Sequence, residues 1–209
     1  MSETVQDFLR SLKVTAGSRF NAAKRMEHVD QRMTVLSSFS SAYLILVSVV
    51  PSIISVTTTA QSALTLFSIS LSVVLLASSV SSYARAYGVK AEQYHRSALE
   101  IQELRRELRF IGENVAKEDF ASLSHRYNAI LQKYSLNHSD VDFYRYQLEY
   151  KEDYQLGVLD RVIKRAQVYL AYSYPTVALT LITIAVFIFL FIAAKYEGDF
   201  AKFLREFLG

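Results

Sequence analysis

The side chains that could carry out chemistry in this 209-residue chain are few and scattered. Glu92 and His95 have the Glu-x-x-His spacing of carboxylate-bridged metal bundles, but such a site needs a second copy and two more carboxylates on facing helices. The sequence contains no second copy. A solvated or structural role is therefore the simpler interpretation of the four histidines, which are His28, His95, His125 and His138.

No other pattern in the sequence indicates catalysis. The chain lacks a glycine-rich phosphate loop, a nucleophile elbow and a metalloprotease spacing. Cysteine is absent, so neither a disulfide framework nor a thiolate metal site is available. The net charge of +3 is too small and too interspersed to indicate direct nucleic-acid binding. We therefore expect no enzymatic activity, no cofactor and no catalytic or metal-binding residue.

Hydroxyl side chains form the one repeated polar pattern, on one face of each of two apolar segments. The members of the two faces are Ser41, Ser48, Ser52 and Ser55, and then Thr65, Ser68, Ser72, Ser79 and Ser82. Two uses remain open. Small residues let membrane helices approach closely and hydrogen-bond to each other. In an assembly of several copies, the same hydroxyls would instead line a water-filled path, and three spans enclose a path only in such an oligomer.

The elements that carry these faces are predicted to be membrane-spanning helices. No Asp, Glu, Lys, Arg or His occurs from Met33 to Ala84 or from Ala166 to Ala194. About 20 helical residues cross the roughly 30 Å hydrocarbon core, so these stretches provide two crossings and one crossing. The polar run Thr57–Ser62 marks the break between the first two. The predicted spans are Leu36–Val56, Ala63–Tyr83 and Tyr172–Ala193.

These spans predict an all-α membrane protein with a transmembrane hairpin, a cytosolic helical segment and a third, C-terminal transmembrane helix. The arm before the hairpin carries an apolar stripe that fits either the inner leaflet or docking on the cytosolic helices. The tail, with Phe200, Phe203 and Phe207 on one face, is predicted to lie at the outer interface. The predicted boundaries are 1–32 for the arm, 33–84 for the hairpin, 85–165 for the cytosolic segment, 166–194 for the third helix and 195–209 for the tail.

The distribution of basic residues predicts the orientation, because Lys and Arg accumulate on the cytoplasmic side. The connection between the first two spans has none, whereas the flanks before the first span, after the second span and before the third span are densely basic. We therefore expect a multi-pass protein with a cytoplasmic N-terminus and middle segment and an outside C-terminus. The basic flanks are Arg10, Lys13, Arg19, Lys24, Arg25 and Arg32, then Arg85, Lys90 and Arg96, and finally Arg161, Lys164 and Arg165.

The segment after the second span has a heptad-like apolar seam, which predicts that this span continues as a long helix. The seam is a candidate for self-association, and packing within the chain explains it equally well. Further on, Asn137–Asp140 reads as a turn followed by a helix start. The seam residues are Tyr87, Ala91, Tyr94, Ala98, Ile101, Leu104 and Leu108.

Several short motifs occur between about Arg19 and Tyr150. They are Arg19-Phe20-Asn21-Ala22-Ala23-x-Arg25, then Tyr87-x-x-x-Ala91-x-x-Tyr94-His95-x-x-Ala98-Leu99-Glu100, and then Leu104, Asn137 and Asp142-Phe143-Tyr144. These motifs resemble the SLATT family, the two-transmembrane effector domains associated with SMODS and SLOG modules. The third span resembles the subfamily often found beside reverse transcriptases.

The resemblance implies an effector of a prokaryotic antiphage conflict system in the bacterial inner membrane. Such an effector would oligomerise and permeabilise or depolarise the membrane when a partner signals infection, as in abortive infection. The implied partners are the lipid bilayer, further copies of the chain, and a nucleotide second messenger, a nucleotidyltransferase or a reverse transcriptase. The alternative is a non-conducting, membrane-anchored scaffold or receptor subunit for a cytosolic partner.

Overall fold

A computed structural model describes the backbone of residues 3–53, 57–112 and 115–195, and the side chains of 4–53, 57–112 and 115–191. Within these ranges there are helices and connections but no strand, which confirms the all-α prediction. The predicted outer-face tail and Ser55 lie outside the described residues. The helices are α1 (Glu3–Ile53), α2 (Thr58–Arg85), α3 (Tyr87–Ile111), α4 (Lys117–Lys133), α5 (Asp140–Glu149) and α6 (Val158–Lys195).

Three helical segments are long and apolar enough to cross a membrane: Thr4–Ile53, Thr58–Ile111 and Val158–Phe191. In their most apolar windows only 22%, 17% and 11% of the residues are buried within the chain. Large apolar side chains left exposed in this way suit a lipid environment, in which water is absent and helices satisfy their own backbone groups. The chain is therefore a multi-pass membrane protein by length and composition.

The chain divides into two compact units. The polar unit contains residues 1–30 and 86–173, and the apolar unit contains residues 31–85 and 174–209. Helices α1 and α6 each run without interruption from one unit into the other, whereas α2 and α3 belong to different units.

The helix predicted to continue from the second span is interrupted at Ala86. This residue has φ 47° and ψ 51°, the left-handed conformation, which costs an L-residue roughly 1–2 kcal/mol. Neither Gly nor Pro occupies this position, and the nearest glycine, Gly88, lies in the first turn of α3. We attribute it to packing of α3 within the polar unit, which overrides local helix preference.

The core of the polar unit is built from the N-terminal part of α1 together with α3 and α4. Phe8 of α1 extends this core through edge-on contacts with Phe120 and Tyr127, whose ring centroids lie 5.3 and 5.7 Å away. The arm is thus docked on the neighbouring helices, one of the two alternatives predicted for it. The buried core residues are Val5, Leu12, Ala16, Ile101, Leu104, Leu108, Leu123 and Ile130.

The heptad-like seam of α3 packs against other helices of the same chain. Six of its seven residues are buried, and Ala91 is half-buried. Ile101, Leu104 and Leu108 belong to the core shared with α1 and α4, because α1 supplies the apolar face that the periodic pattern requires. Self-association through this seam would require that core to open, so the structure favours the intramolecular alternative.

The apolar unit brings its three long helices together. Val47 of α1, Leu64 of α2 and Val186 of α6 form a buried cluster. Beside it, the rings of Phe67 and Phe189 stack with their centroids 4.7 Å apart. The third helix therefore packs with the hairpin, which the sequence predicted only as a separate crossing.

Candidate functional site: a buried polar network

A buried ion pair links α1 and α5 in the polar unit. Arg25 Nε donates to Asp142 Oδ1 at 2.8 Å, and Nη2 donates to Oδ2 at 2.9 Å. The side chain of Asp142 is 0% exposed and that of Arg25 is 14% exposed. Burial acts to lower the pKa of the Arg25 guanidinium, but the hydrogen bond and charge of Asp142 outweigh it and raise that pKa. The two-pronged contact therefore keeps both charges paired out of water.

Asp142 also organises the start of α5. Its Oδ2 accepts hydrogen bonds from the backbone N–H and the hydroxyl of Ser139, each at 3.1 Å. Ser139 is the N-cap residue, and its side chain accepts in return from the backbone N–H of Asp142, which completes a capping box. The predicted helix start is confirmed, because α5 begins at Asp140. The Asp142 carboxylate thus accepts from four donors, one at Oδ1 and three at Oδ2.

A second arginine of α1, Arg19, is buried without a carboxylate partner among the described residues. It is 3% exposed, donates through Nη1 to the Ser97 hydroxyl, and donates through Nη2 to the Leu136 carbonyl at 3.3 Å. Its Nε has no partner within the described part of the chain. Burial lowers the pKa of Arg19, as expected for a cation removed from water.

Three hydrogen bonds to backbone carbonyls extend the network. The Tyr94 hydroxyl of α3 donates to the Asn137 carbonyl at 2.7 Å. Asn21 Nδ2 donates to the Asp142 carbonyl at 3.3 Å, and the Tyr172 hydroxyl of α6 donates to the Asn21 carbonyl at 2.9 Å. Burial, followed by the charge of Asp142, raises the pKa of Tyr94, so it remains a hydrogen-bond donor.

Motif residues that carried the family resemblance therefore meet in space, because Asn21 and Arg25 both bond to Asp142, which follows them by 121 and 117 residues. From the sequence alone, none of these three residues was assigned to a site. One signal was present: Arg19 lies one turn before Ala22 and Ala23, on the helical face that is buried. A charge on an apolar face indicates a buried partner.

Another close contact fixes α5 against α1. A Cβ atom built at Gly17 would lie 2.4 Å from Cε2 of Tyr146, so only glycine leaves room for that ring. Tyr146 is 1% exposed, and its hydroxyl has no partner among the described residues. The network and this contact together specify one arrangement of the helices.

The ion pair and hydrogen bonds of this network can stabilise the packing of the helices. Removing one partner of a buried ion pair leaves an uncompensated charge and costs roughly 3–5 kcal/mol. The network is therefore stable when both partners of the ion pair are present, and the polar unit is destabilised when either one is removed. Among the described residues no group of His, Cys, Asp and Glu could hold a metal ion.

A groove of about 830 Å³ runs beside α3 and the end of α4. Two ion pairs line it: Arg96–Glu92 at 2.5 Å and Lys133–Glu100 at 2.6 Å. Leu99, which is also in the groove, is 47% exposed. The groove offers mixed charge and apolar surface to a partner, with no net charge from the two pairs.

The described hydroxyls of the two serine faces lie in the apolar unit. Ser48, Ser52, Thr65 and Ser79 are exposed, and the remaining described members, Ser41, Ser68, Ser72 and Ser82, are half-buried. Four of them donate to the carbonyl four residues earlier in their own helix, at 2.7–2.9 Å: Ser41, Ser48, Thr65 and Ser72. Ser68 Oγ is buried without a partner among the described residues. Pore lining and helix packing stay the two predicted uses of these faces.

Comparison with known proteins identifies the family. The family model of the SMODS and SLOG-associating 2TM effector domain family 5 matches residues 1–192, which include the whole polar network and nearly all of α6. No curated protein and no solved structure matches the chain. The match does not address an association with reverse transcriptases, which stays a prediction. The chain belongs to the SMODS and SLOG-associating 2TM effector domain family 5.

Proposed function

We propose that this chain is a membrane effector of a prokaryotic antiphage conflict system that oligomerises and permeabilises or depolarises the inner membrane. One observation carries the proposal: the family match extends over both the polar unit and the membrane-spanning helices. An effector needs a part that receives a signal and a part that acts on the bilayer. The chain has a polar unit for the former and three apolar helices for the latter.

Two features support coupling between receiving a signal and acting on the membrane. Helices α1 and α6 run without interruption from the polar network into the apolar unit. Arg25 of α1 and Tyr172 of α6 are both hydrogen-bonded within the network. A partner or nucleotide that opened the network would release both helices together. The topology we propose has the N-terminus and the polar unit in the cytoplasm and the C-terminus outside.

The experiment is membrane depolarisation in a bacterial host after induced synthesis of the full chain. Depolarisation and uptake of a membrane-impermeant dye should begin above a threshold amount of inserted protein, because an oligomer forms with a steep concentration dependence. The matched control is Leu71→Asp, which should insert poorly because a charge at a buried span position is costly. Intact polarisation at high levels of inserted protein would contradict the proposal.

That contrary result would favour the alternative, a non-conducting scaffold or receptor subunit. The groove beside α3 is the observation that favours it, because about 830 Å³ of mixed polar and apolar surface suits a bound partner. Substitution of Leu99 by Asp would then abolish partner binding and leave membrane insertion unchanged.

A further inference from the structure

Within the polar unit, cations of α1 lie beside the tyrosines that end α5. Arg10, Lys13 and Gly17 recur at spacings of three and four, so they share one face of α1, the face that Gly17 packs against α5. Lys13 Nζ lies 2.5 Å from Asp153 Oδ2 and 4.6 Å from the centre of the Tyr150 ring. The hydrogen bond from Lys13 lowers the pKa of the Asp153 carboxyl, and the charge of Arg10 adds to this, so Arg10 belongs to the same cluster.

Helix α3 adds two more cations to this cluster. Arg105 and Arg109 are four residues apart and therefore lie on one side of α3. Burial lowers the pKa of the Arg105 guanidinium, and the charge of Arg109 lowers it further, whereas Tyr146 and Tyr150 act in the opposite direction. The two tyrosines are therefore near enough to Arg105 to influence its charge. The basic cluster consists of Arg10, Lys13, Arg105 and Arg109.

Arg105 differs from other arginines of the polar unit in having no carboxylate partner among the described residues. It is half-buried, as Arg145 is, but Arg145 is 3.0 Å from Glu149 in its own helix. Even the more exposed Arg126 has a carboxylate, that of Glu107, at 2.8 Å. A cation that is partly removed from water is stable only when acceptors surround it, so Arg105 calls for an acceptor that these residues do not supply.

Two buried hydrogen-bond donors of the cluster have no acceptor in the described part of the chain. They are Arg105 Nε and the hydroxyl of Tyr146. Tyr146 is 1% exposed, and burial raises the pKa of its hydroxyl, so the group keeps its proton and can donate. Buried donors are almost always paired in folded proteins, and two unpaired donors on neighbouring helices point to an acceptor from outside the chain.

The charges of the cluster specify the chemistry of that acceptor. Asp153 is the carboxylate of the cluster, and it is already paired with Lys13, which leaves three arginines uncompensated. A phosphoryl group offers several acceptor oxygens and more than one negative charge, and the planar fork of arginine binds it in a two-pronged manner. A carboxylate offers a single charge and two oxygens, so it satisfies the cluster less completely.

We propose that the basic cluster and the Tyr146 hydroxyl form a binding site for a phosphate-bearing anion, either a free phosphorylated molecule or a lipid headgroup. Tyr150 is 43% exposed beside Lys13 and borders the site on its open side. The site lies wholly within the polar unit. It binds its ligand whether or not the chain permeabilises the membrane, so its test does not depend on the proposed function.

The test is calorimetric titration of inorganic pyrophosphate into the purified full chain in neutral detergent at constant ionic strength. The wild type should bind pyrophosphate saturably, and Arg105→Gln should weaken the affinity at least ten-fold. The matched control is Arg126→Gln, which removes a paired arginine of the same unit and should change the affinity less than two-fold. Arg109→Gln alters an exposed position, so it should fold normally and weaken binding about three-fold or more.

Tyr146→Phe separates the hydroxyl from the packing of the ring. It retains the contact with Gly17 and should still weaken pyrophosphate binding at least two-fold, because one donor is lost. Absence of saturable binding to the wild type would overturn the site. Equal affinities of the Arg105→Gln and Arg126→Gln variants would also overturn it, because binding would then follow overall charge.

A competition experiment distinguishes the two sources of the phosphate. Short-chain phosphatidylglycerol, kept below its micelle concentration, would be added before the pyrophosphate titration, with short-chain phosphatidylcholine as the uncharged control. Displacement of pyrophosphate by phosphatidylglycerol alone would support the site and assign a lipid headgroup to it. Unchanged pyrophosphate binding in the presence of both lipids would support the site and assign a free phosphorylated molecule.

Discussion

The polar and apolar units differ in the hydrogen bonds that their polar side chains form. In the polar unit, Arg25 and Asp142 bond to each other across 117 residues of sequence. In the apolar unit, hydroxyls such as Ser48 and Ser72 bond to the carbonyl four residues earlier in their own helix, and the bond between Tyr43 and Thr183, 3.0 Å long, joins two helices. Long-range pairing specifies a single arrangement of helices. Local pairing leaves these hydroxyls without a bond to a neighbouring helix, so they constrain the packing of the helices less than the ion pair does.

The comparison predicts that the largest effect comes from breaking the pair in the polar unit. Asp142→Ala should destabilise the chain by about 3–5 kcal/mol, because Arg25 would remain buried and unpaired. The control is Glu107→Ala, which removes the exposed Glu107–Arg126 pair, with an N–O distance of 2.8 Å, and should cost no more than about 1 kcal/mol. Denaturant unfolding of the purified protein would measure both. Equal losses would mean that burial does not distinguish the two pairs.

In the apolar unit, neighbouring positions should respond differently to charge. Leu71 is 7% exposed, so Leu71→Asp should cost roughly 2.5–3.5 kcal/mol on insertion scales and reduce the amount of inserted protein. Ser72→Asp should insert and alter ion preference or toxicity if the serine face lines a path in the open state. Ser72→Leu is the matched test of bulk. If Ser72→Asp and Ser72→Leu impair assembly equally and ion preference is unchanged, the face serves only for helix packing.

The contact between Gly17 and Tyr146 should be intermediate in effect. Gly17→Ala should destabilise the polar unit by about 1–3 kcal/mol, because its Cβ would lie 2.4 Å from the Tyr146 ring. The gain in helix propensity, about 1 kcal/mol, offsets part of this. Gly157→Ala is the control, since no atom lies within 4 Å of its added Cβ. Thermal unfolding of the two variants should differ clearly, and a stabilised Gly17→Ala would show that the ring moves freely.

The smallest expected effect is on the pH dependence of the free energy of unfolding. Burial lowers the pKa of His138, and the charge of Arg19 adds to this against the opposing carboxylates Asp142 and Asp140. The unfolded chain takes up the proton near pH 6.5, before the folded chain does, so stability falls as pH decreases below that value. The slope from one proton is at most about 1.4 kcal/mol per pH unit. His138→Gln should flatten the curve of unfolding free energy against pH in that range.

Sequence alone predicted the parts of the fold that depend on local composition. The spans followed from two charge-free stretches, because hydrocarbon excludes charge, and the start of α5 followed from its capping residues. The break at Ala86 could not be predicted, because no Gly or Pro marks it. The periodicity of α3 predicted an apolar face but not whether α1 or another copy would cover it.

The polar network depended on information that a single sequence does not carry. Arg19, Arg25 and Asp142 were each visible in the family motifs, but their pairing requires the fold that brings α1 and α5 together. The family motifs contain all three residues, but only the structure shows that they lie close together. Local sequence patterns predict individual helices, whereas hydrogen bonds between residues far apart in the sequence determine how those helices pack together.

The measurement that tests the account most directly is the membrane orientation of the two units. Alkaline phosphatase, which is active only outside the cytoplasm, would be fused after Gly112 in the polar unit and after Gly209 at the C-terminus. We predict an inactive enzyme after Gly112 and an active enzyme after Gly209, because basic flanks favour the cytoplasmic side of a membrane. Activity after Gly112 with none after Gly209 would contradict the topology and the proposed effector that depends on it.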